Sequence, residues 1–344
     1  MRAVQYSHYG VAPALVEVDQ PTCPADGMLV AVRATGVCRS DWHAWQGHDP
    51  VALPHIPGHE FAGIVAEVGP EVTRPLVGER VTVPFACGCG RCALCRGGNA
   101  QVCQQQTQPG FTIPGSFAEL VAVHAADLNA VPLPASIDFV TAASLGCRFA
   151  TAYRALTAHG RVRAGEWVAV HGCGGVGLSA VMIATALGAR VVATDLSTAA
   201  LTRAGELGAE VVLTSDADSV SAHVTEVTDG GAHVSVDAVG HQSTALASVN
   251  GLRPRGRHVQ VGLLFGPDST PPLPMDRIVA KELEIYGSHG MAASGYPPLL
   301  ELIASGAVHP ELLVTSVIGL DEAGSALAAM SEPATEAGIT VVRT

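Results

Sequence analysis

Charged and aromatic residues are scarce in this sequence. Of its 344 residues, 15% are charged and 4% are aromatic, and Lys281 is its one lysine. The formal net charge is −12. A chain this acidic lacks the excess of basic residues that a nucleic-acid or anionic-membrane partner would require. We therefore expect no nucleic acid and no membrane among its partners.

An export signal and a membrane-spanning segment are also missing. The first residues, MRAVQY, lack the apolar core of a signal peptide. Residues 167–189 contain no Asp, Glu, Lys or Arg, but glycines and His171 interrupt them, which is typical of a buried strand, turn and helix. Nine cysteines without an export signal favour a reducing compartment, where cysteines more often bind metal than form disulfides. We expect a cytoplasmic protein.

The length and the hydrophobic fraction of 48% are sufficient for two domains. Residues 1 to about 145 contain short β-like runs that glycine and proline separate, which is typical of a mostly β domain. From about Cys147, predicted strands alternate with predicted helices, which indicates a doubly wound parallel sheet. From about Gly287 the chain is expected to return to the first domain. The strands of the parallel sheet are predicted at 167–171, 190–194, 210–213, 234–239 and 258–263.

A glycine-rich turn joins the predicted strand 167–171 to a predicted helix. The pattern Gly-X-Gly-X-X-Gly is weak alone, but Asp195 follows the last glycine by 18 residues, at the end of the next strand. In this context backbone amides and the helix N-terminus hold a pyrophosphate, and the acid holds a ribose. Glycines for tight packing, and Asp195 as a helix cap, are the alternatives. The predicted cofactor-binding residues of the turn are Gly172, Gly174, Gly175, Val176 and Gly177.

Four of the cysteines lie in one short stretch. Four thiolates at this spacing can enclose one ion tetrahedrally, as in structural zinc sites. Reduced surface cysteines or a disulfide knot are the alternatives. The four predicted ligands are Cys89, Cys92, Cys95 and Cys103, whereas Cys23, Cys87 and Cys173 stand outside the pattern.

A histidine and a glutamate are adjacent within the apolar stretch PGHEFAG at residues 57–63. Buried polar groups need hydrogen bonds or a metal, although a strand-edge histidine beside a solvated glutamate would also fit this stretch alone. Two further stretches, CRSDWH from residue 38 and GCRF from residue 146, contain cysteines. Together Cys38, His59 and Cys147 offer two thiolates and an imidazole, the ligand set of a catalytic zinc with an open fourth position.

Through these motifs the chain resembles, over nearly its whole length, the zinc-dependent alcohol dehydrogenases of the medium-chain dehydrogenase/reductase superfamily. The resemblance implies an α/β protein with a mostly β, GroES-like catalytic domain at 1–148 and 288–344. It also implies a doubly wound, parallel-sheet Rossmann domain at 149–287. The expected cofactors are NAD and two Zn²⁺ per chain. The expected partners are a small alcohol or carbonyl substrate and further copies of the chain in a homodimer or homotetramer.

The resemblance assigns roles to residues around the first metal site. Cys38, His59 and Cys147 are the expected ligands of the catalytic zinc. Glu60 resembles the carboxylate that can approach this metal when water or product exchanges. Asp41 resembles the acid that orients the imidazole of His59, as metal-bound histidines usually require.

A proton route is expected as well, because an alcohol must lose its proton to become a hydride donor. The hydroxyl of Ser40, the nicotinamide ribose and the imidazole of His43 would form it. A plain surface histidine is the alternative for His43. His48, His55 and His171, by contrast, match no ligand position and are expected to be ordinary histidines.

The resemblance also implies contacts to cofactor and substrate. Thr151 is expected to pack against the nicotinamide, and the backbone of Val261, Gly262 and Leu263 to meet its carboxamide. The expected substrate pocket contains Trp45, Asp49 and Phe85.

One position departs from the family. Relatives often have an arginine directly after the glycine of the C-terminal strand, near the pyrophosphate and the acid beside the zinc. Here Gly338 is followed by Ile339 and Thr340. Either another arginine takes its place, or the cofactor is held less tightly.

The motifs together favour an enzyme that transfers a hydride between an alcohol and NAD, giving an aldehyde or ketone. The first alternative is a reductase of a C=C or C=N bond, which would not need the proton route through Ser40 and His43. The second is a non-catalytic cofactor-binding protein, which would be expected to lose ligands that are all present here. Asp195, with no basic residue before Arg203, predicts a preference for NAD over NADP.

Overall fold

The computed structural model describes residues 1–214, 217–332 and 337–344. Among these residues, no helix has both the length and the apolar character that a membrane span needs. The strands are β1 (Arg2–Gln5), β2 (Ala14–Glu17), β3 (Met28–Val37), β4 (Phe61–Val68), β5 (Arg80–Thr82), β6 (Leu120–Val123), β7 (Val131–Pro132), β8 (Trp167–His171), β9 (Arg190–Asp195), β10 (Val211–Thr214), β11 (Ala232–Asp237), β12 (Leu252–Gln260), β13 (Glu284–Gly287), β14 (Val314–Gly319) and β15 (Ile339–Arg343).

The helices lie mainly in the second half of the chain. They are α1 (Arg39–Trp45), α2 (Ala93–Arg96), α3 (Ala126–Asn129), α4 (Phe139–Ala143), α5 (Ala150–Arg154), α6 (Gly175–Ala186), α7 (Thr198–Glu206), α8 (Ala217–Val227), α9 (Gln242–Asn250), α10 (Met275–Lys281), α11 (Tyr296–Ala304) and α12 (Ala323–Ala329). A π-helical turn, Leu145–Phe149, joins α4 to α5.

The first sheet is mostly antiparallel and has strands from both ends of the chain. Its seven strands include the path β14-β15-β3-β4-β5-β7, with β6 beside β3. The C-terminal strand β15 pairs antiparallel with β3, so the chain returns to the first sheet as the sequence predicts. The last four residues of β3, which end at Val37, are all buried, whereas exposure varies in the middle of the strand. A strand end that is buried on both faces is covered on both sides by other elements.

The second sheet has six strands in the order β10-β9-β8-β11-β12-β13. All its neighbouring strands are parallel. Counted from β8, this is the doubly wound order 3-2-1-4-5-6, in which ligands bind outside the carboxyl ends of the central strands. The predicted doubly wound fold is therefore confirmed.

Two strands of this sheet end earlier than predicted. The predicted strand 234–239 stops at Asp237, because its carboxylate accepts hydrogen bonds from the N–H groups of Val239 (2.8 Å) and Gly240 (3.1 Å) and closes a turn. The predicted strand 258–263 is Leu252–Gln260. Residues 261–263 leave the sheet instead and approach the same turn.

Helix α6 explains the uncharged stretch of the sequence. It is buried from Gly177 to Ala184, and it packs between the parallel sheet and the helical segment that follows α4. A helix that is covered on all sides has no solvent face on which charged residues could lie. Its uncharged composition thus reflects a position in the protein core.

Gly177 is where α6 approaches the preceding turn most closely. A Cβ added to Gly177 would lie 1.7 Å from the carbonyl oxygen of Gly172. The Gly177→Ala substitution should therefore lower the free energy of unfolding by about 1–3 kcal/mol, because this clash outweighs the helix propensity that alanine adds. Urea denaturation measures the difference.

Gly174→Ala is the matched control for this prediction. A Cβ at Gly174 meets no atom within 4 Å, and its φ of −77° is open to any residue. We expect its unfolding free energy to change by less than about 0.5 kcal/mol. Equal destabilisation by the two substitutions would contradict the proposed steric cause.

Candidate metal and cofactor site

Cys38, His59 and Cys147 converge although they are remote in sequence. Cys38 directly follows β3, and His59 lies two residues before β4. These two strands are antiparallel neighbours, with Thr35 opposite Phe61, so the end of one lies beside the start of the other. Cys147 reaches the same place from the π-helical turn, an irregularity that is frequent at functional sites.

The ligand atoms of Cys38, His59, Glu60 and Cys147 all lie within 4.8 Å of one another. Asp41 Oδ1 accepts a hydrogen bond from His59 Nδ1 at 2.8 Å, which leaves Nε2 as the free nitrogen. This Nε2 is buried and has no hydrogen-bond partner. A buried imidazole nitrogen without a partner, next to two thiols, fits a bound metal ion.

The charge state of Cys38 also suits a metal ligand. The pKa of its thiol is held well below the ordinary value, first by a hydrogen bond with Cys147 and then by the positive charge of Arg148. A thiol binds a metal in its thiolate form, so a lowered pKa favours coordination.

A buried ion pair adjoins this set of ligands. Glu60 Oε1 accepts hydrogen bonds from the backbone N–H of Arg148 at 2.9 Å and from its Nε at 3.0 Å, and Oε2 meets an Nη of the same guanidinium. Burial raises the pKa of Glu60, and the arginine charge opposes that rise. The sequence singled out Glu60 but gave no role to Arg148, although Arg148 directly follows a predicted ligand.

Helix α1 brings Ser40 and His43 to the edge of the cluster. The hydroxyl of Ser40 lies 3.9 Å from the sulfur of Cys38. The Nδ1 atoms of His43 and His48 are 3.1 Å apart, and His48 is exposed to solvent. The motifs assigned no role to His48, whose imidazole the turn after α1 places next to that of His43.

The imidazole of His43 is neutral at physiological pH. Burial, with smaller contributions from the nearby His48 and the charge of Arg39, lowers its pKa to about 4. A neutral imidazole accepts a proton at one nitrogen and donates one at the other, as a relay requires.

The three predicted pocket residues have different surroundings. The ring of Phe85 lies 6.0 Å from that of His59, beside the metal ligands. Phe111, which sequence reasoning missed, lies closer still at 5.0 Å. Trp45 instead packs in the core around the N-terminal strand and donates its indole N–H to Val11 O at 2.7 Å. The side chain of Asp49 is exposed at the surface.

The four-cysteine set is compact. The ligand atoms of these four residues also lie within 4.8 Å of one another. The sulfur of Cys92 is 3.5 Å from that of Cys95 and 3.7 Å from that of Cys103. Cys87 lies outside the set and is buried, which raises its pKa to about 12. All nine cysteines of the chain are free thiols.

The glycine-rich turn is attached to the end of β9 through Asp195. One carboxylate oxygen accepts a hydrogen bond from the N–H of Cys173, and the other from the N–H of Ser197, both at 2.7 Å. The residue that caps α7 is Ser197, whose hydroxyl accepts from the N–H of Ala200. The interpretation of Asp195 as the helix cap is therefore excluded.

Two further features lie where a nicotinamide is expected. Thr151 is buried, and its hydroxyl has no hydrogen-bond partner. The backbone N–H groups of Val261 and Gly262 donate to Asp237 O at 3.0 and 2.8 Å. Gln260 Nε2 donates to an Asp237 side-chain oxygen and to Gly262 O, both at 2.9 Å. Asp237 and Gln260, neither of which the motifs revealed, thus fix this segment.

Known families match both halves of the chain. The model of the alcohol dehydrogenase GroES-like domain matches residues 24–135, and the model of the zinc-binding dehydrogenase matches residues 175–305. An alcohol dehydrogenase of Geobacillus stearothermophilus is 35% identical over 311 residues, which cover 90% of each chain.

Solved structures agree with these matches. The alcohol dehydrogenase TADH from Thermus sp. ATN1 superposes with a TM-score of 0.92 at 31% identity, covering 100% of this chain and 99% of the other. A zinc-binding dehydrogenase from Sinorhizobium meliloti 1021, solved with NADP, gives a TM-score of 0.87 at 28% identity, with 100% and 99% covered. Both its domains and its relatives show that this chain belongs to the zinc-dependent alcohol dehydrogenases of the medium-chain dehydrogenase/reductase superfamily.

Proposed function

We propose that this dehydrogenase oxidises its alcohol reversibly, to an aldehyde or ketone, at the cluster of Cys38, His59 and Cys147. The observation that carries the proposal is the buried His59 Nε2, which lacks a partner and lies near two thiols. Such a set suits a zinc with an open position for substrate. The test is the formation of NADH by the purified protein with primary, secondary and polyol alcohols, and no reaction across these classes would contradict the proposal.

When bound, zinc would act as a Lewis acid on the alcohol oxygen and NAD would accept the hydride. Asp41 contributes by holding the Nδ1 proton of His59, so that the Nε2 lone pair points at the metal position. Glu60 would approach that position when water or product exchanges. The second metal position, among Cys89, Cys92, Cys95 and Cys103, would hold a structural zinc.

The proton of the alcohol needs a path out of the site. We propose that Ser40, His43 and then His48 would carry it toward solvent, and that the ribose of a bound nicotinamide would supply a hydroxyl to the same route. The support for the last step is the 3.1 Å distance between the two imidazoles, together with the exposure of His48. A route that ends at an exposed imidazole can exchange protons with bulk water.

The cofactor is proposed to lie across the carboxyl ends of β8 and β9. Backbone amides at Gly172, Gly174, Gly175, Val176 and Gly177 would hold its pyrophosphate. Asp195 would accept hydrogen bonds from the adenosine ribose. Thr151 and the segment Val261–Leu263 would contact the nicotinamide.

The substrate would lie against an apolar wall of Phe85 and Phe111, next to His59. We propose that Asp49, exposed after α1, favours hydroxylated or cationic substituents that extend toward the surface. The ranking of alcohols, diols and amino alcohols by the Asp49→Ala variant decides this point, and an unchanged ranking excludes Asp49. We make no pocket assignment for Trp45, whose indole lies in the N-terminal core.

The wider organisation is also a proposal. The two sheets support a catalytic domain at 1–148 and 288–344 and a Rossmann domain at 149–287. The open edge strand β13 and the exposed apolar residues Met275 and Val279 on α10 support a homodimer or homotetramer, whose mass sedimentation equilibrium would measure. Nine cysteines without a disulfide support a cytoplasmic location, which fractionation of the source cells would test.

The metal content tests both ligand sets. We expect about two zinc equivalents per chain, because each set offers the ligands of one tetrahedral site. Cys147→Ala and Cys95→Ala should each lose about one equivalent, measured by metal analysis. Cys87→Ala, which removes a buried thiol outside both sets, should retain about two. If the wild-type protein binds one zinc only, which Cys147→Ala retains and Cys95→Ala loses, the proposed catalytic zinc site is contradicted.

The pH profile tests the proton route. His43→Ala should lower kcat by about a hundredfold at neutral and acidic pH, the low end of the effect of a positioned proton-transfer group. Because burial lowers the pKa of His43 to about 4, its imidazole is neutral and can accept protons at neutral and mildly acidic pH, above that value. Activity should recover at high pH, where hydroxide replaces the imidazole. His48→Ala should give a smaller loss of the same shape, whereas a pH-independent loss would indicate a structural role.

The choice of cofactor tests Asp195. Its carboxylate should favour NAD over NADP by about 2–4 kcal/mol, or roughly 30- to 1000-fold in kcat/KM, because the NADP phosphate replaces a hydrogen-bonded hydroxyl with a like charge. Asp195→Ala should reduce this ratio. Asp195→Asn is the sharper variant, since it removes the charge but keeps an acceptor for the N–H of Cys173. Equal efficiency of the wild-type protein with both cofactors would contradict the ribose assignment.

A further inference from the structure

Arg148 links the metal ligands to the cofactor turn. It follows Cys147 on the π-helical turn and is 5% exposed, among the most buried charged residues of the described chain. Charged side chains are rarely buried to this degree unless they are paired. The surroundings of its guanidinium therefore show what the residue does.

The guanidinium of Arg148 hydrogen-bonds both carboxylate oxygens of Glu60. The backbone N–H and Nε of Arg148 donate to Oε1, and an Nη donates to Oε2. Glu60 is 0% exposed, so water cannot take over these bonds. Gly36 packs directly against this ion pair, since a Cβ added to it would lie 2.6 Å from Glu60 Oε2 and 2.8 Å from an Nη of Arg148. The carboxylate can leave this position only by breaking its bonds to Arg148.

The aliphatic part of Arg148 packs against the glycine-rich turn. A Cβ added to Gly175 would lie 2.4 Å from Cδ of Arg148, so the arginine occupies the space of the missing side chain. The other Nη donates to the carbonyl of Val37, the residue before Cys38, at 3.1 Å. One side chain thus contacts the cofactor turn, Glu60 and the strand end that presents a metal ligand.

The C-terminal strand has Ile339 and Thr340, and no arginine, directly after Gly338. Ile339 is 1% exposed and lies in the main apolar core. Thr340 pairs with Val37, whose carbonyl accepts the bond from Arg148. Arg148, which follows Cys147, therefore places a guanidinium beside β3 and β15. It lies next to the strand on which relatives have their arginine.

We propose that Arg148 is a positioning residue with two effects. It binds the carboxylate of Glu60, an oxygen of which lies within 4.8 Å of the other candidate ligand atoms, and so keeps this carboxylate from binding the metal. It also fixes the glycine-rich turn relative to the metal ligands. The proposal deepens the proposed function and rests on the assignment of Cys38, His59 and Cys147 as ligands. Without Arg148, the bound metal would be the nearest positive charge available to the buried carboxylate of Glu60.

The experiment compares Arg148→Met, Arg148→Lys, Glu60→Gln and the double variant Arg148→Met/Glu60→Gln. Cobalt placed in the catalytic site reports its coordination through the visible spectrum, and transfer of zinc to a chelator reports its release. Fluorescence titration with NADH gives the dissociation constant of the cofactor. Arg154→Met is the matched control, because Arg154 is a half-buried arginine of the next helix that contacts His159.

In Arg148→Met we expect an altered cobalt spectrum, as Glu60 joins the metal, and a release rate changed by about 10- to 100-fold, the usual effect of losing a partner of the metal ligands. The double variant should regain the spectrum of Glu60→Gln, because the amide is a poor ligand. Cofactor affinity should fall by about tenfold in Arg148→Met and in the double variant, because both lose the packing against the glycine-rich turn. The spectrum and cofactor affinity of Arg148→Lys should lie between those of the wild-type protein and Arg148→Met. An ammonium keeps the charge but cannot donate to both carboxylate oxygens as a guanidinium does.

Three results would overturn the inference. An Arg148→Met protein with the wild-type spectrum and affinity would show that Arg148 does not position either group. Equal spectral changes in Arg148→Met and in the double variant would exclude an action through Glu60. Equal changes in Arg154→Met would indicate a general effect of losing a buried arginine. A wild-type protein that binds no cobalt at these ligands would instead contradict the proposed function itself.

Discussion

The site depends on the burial of two adjacent polar residues, His59 and Glu60, directly before β4. Both are 0% exposed, so each must find its partners within the protein. His59 turns toward Asp41 and the cysteines, and Glu60 turns toward Arg148. Because the two side chains have different partners, one dipeptide serves both the metal position and the contact with the cofactor-binding half.

Much of the fold could be predicted because its signals are local. The strand before the glycine-rich turn, the helix after it and Asp195 lie within one short segment, where spacing reflects backbone geometry directly. The four-cysteine set is equally local. Strand ends were less predictable, because the turn at Asp237 depends on a hydrogen bond that its carboxylate accepts from the N–H of Val239. The alternation of apolar residues does not show such a bond.

The rest of the site could not be predicted because it depends on contacts between distant segments. His48 becomes relevant only when the turn after α1 places it next to His43. Trp45 carries the same aromatic signal as Phe85, yet one side chain joins the N-terminal core and the other lies next to His59. The motif around Cys147 included Arg148, but the two residues that it contacts, Glu60 and Gly175, are far from it in the sequence.

The attachment of Asp195 to the cofactor turn has a consequence for how cofactor choice can change during evolution or redesign. One of its oxygens supports the backbone of Cys173, so the residue that would select the ribose also maintains the shape of the pyrophosphate cradle. A mutation toward a small apolar residue would alter recognition and architecture in the same step. Substitution of Asp195 by serine or asparagine removes the charge but keeps a hydrogen-bond acceptor for the N–H of Cys173. Such substitutions preserve the turn while cofactor selectivity changes. The accessible routes between the two nicotinamide cofactors are therefore fewer than a single contact with the ribose would suggest.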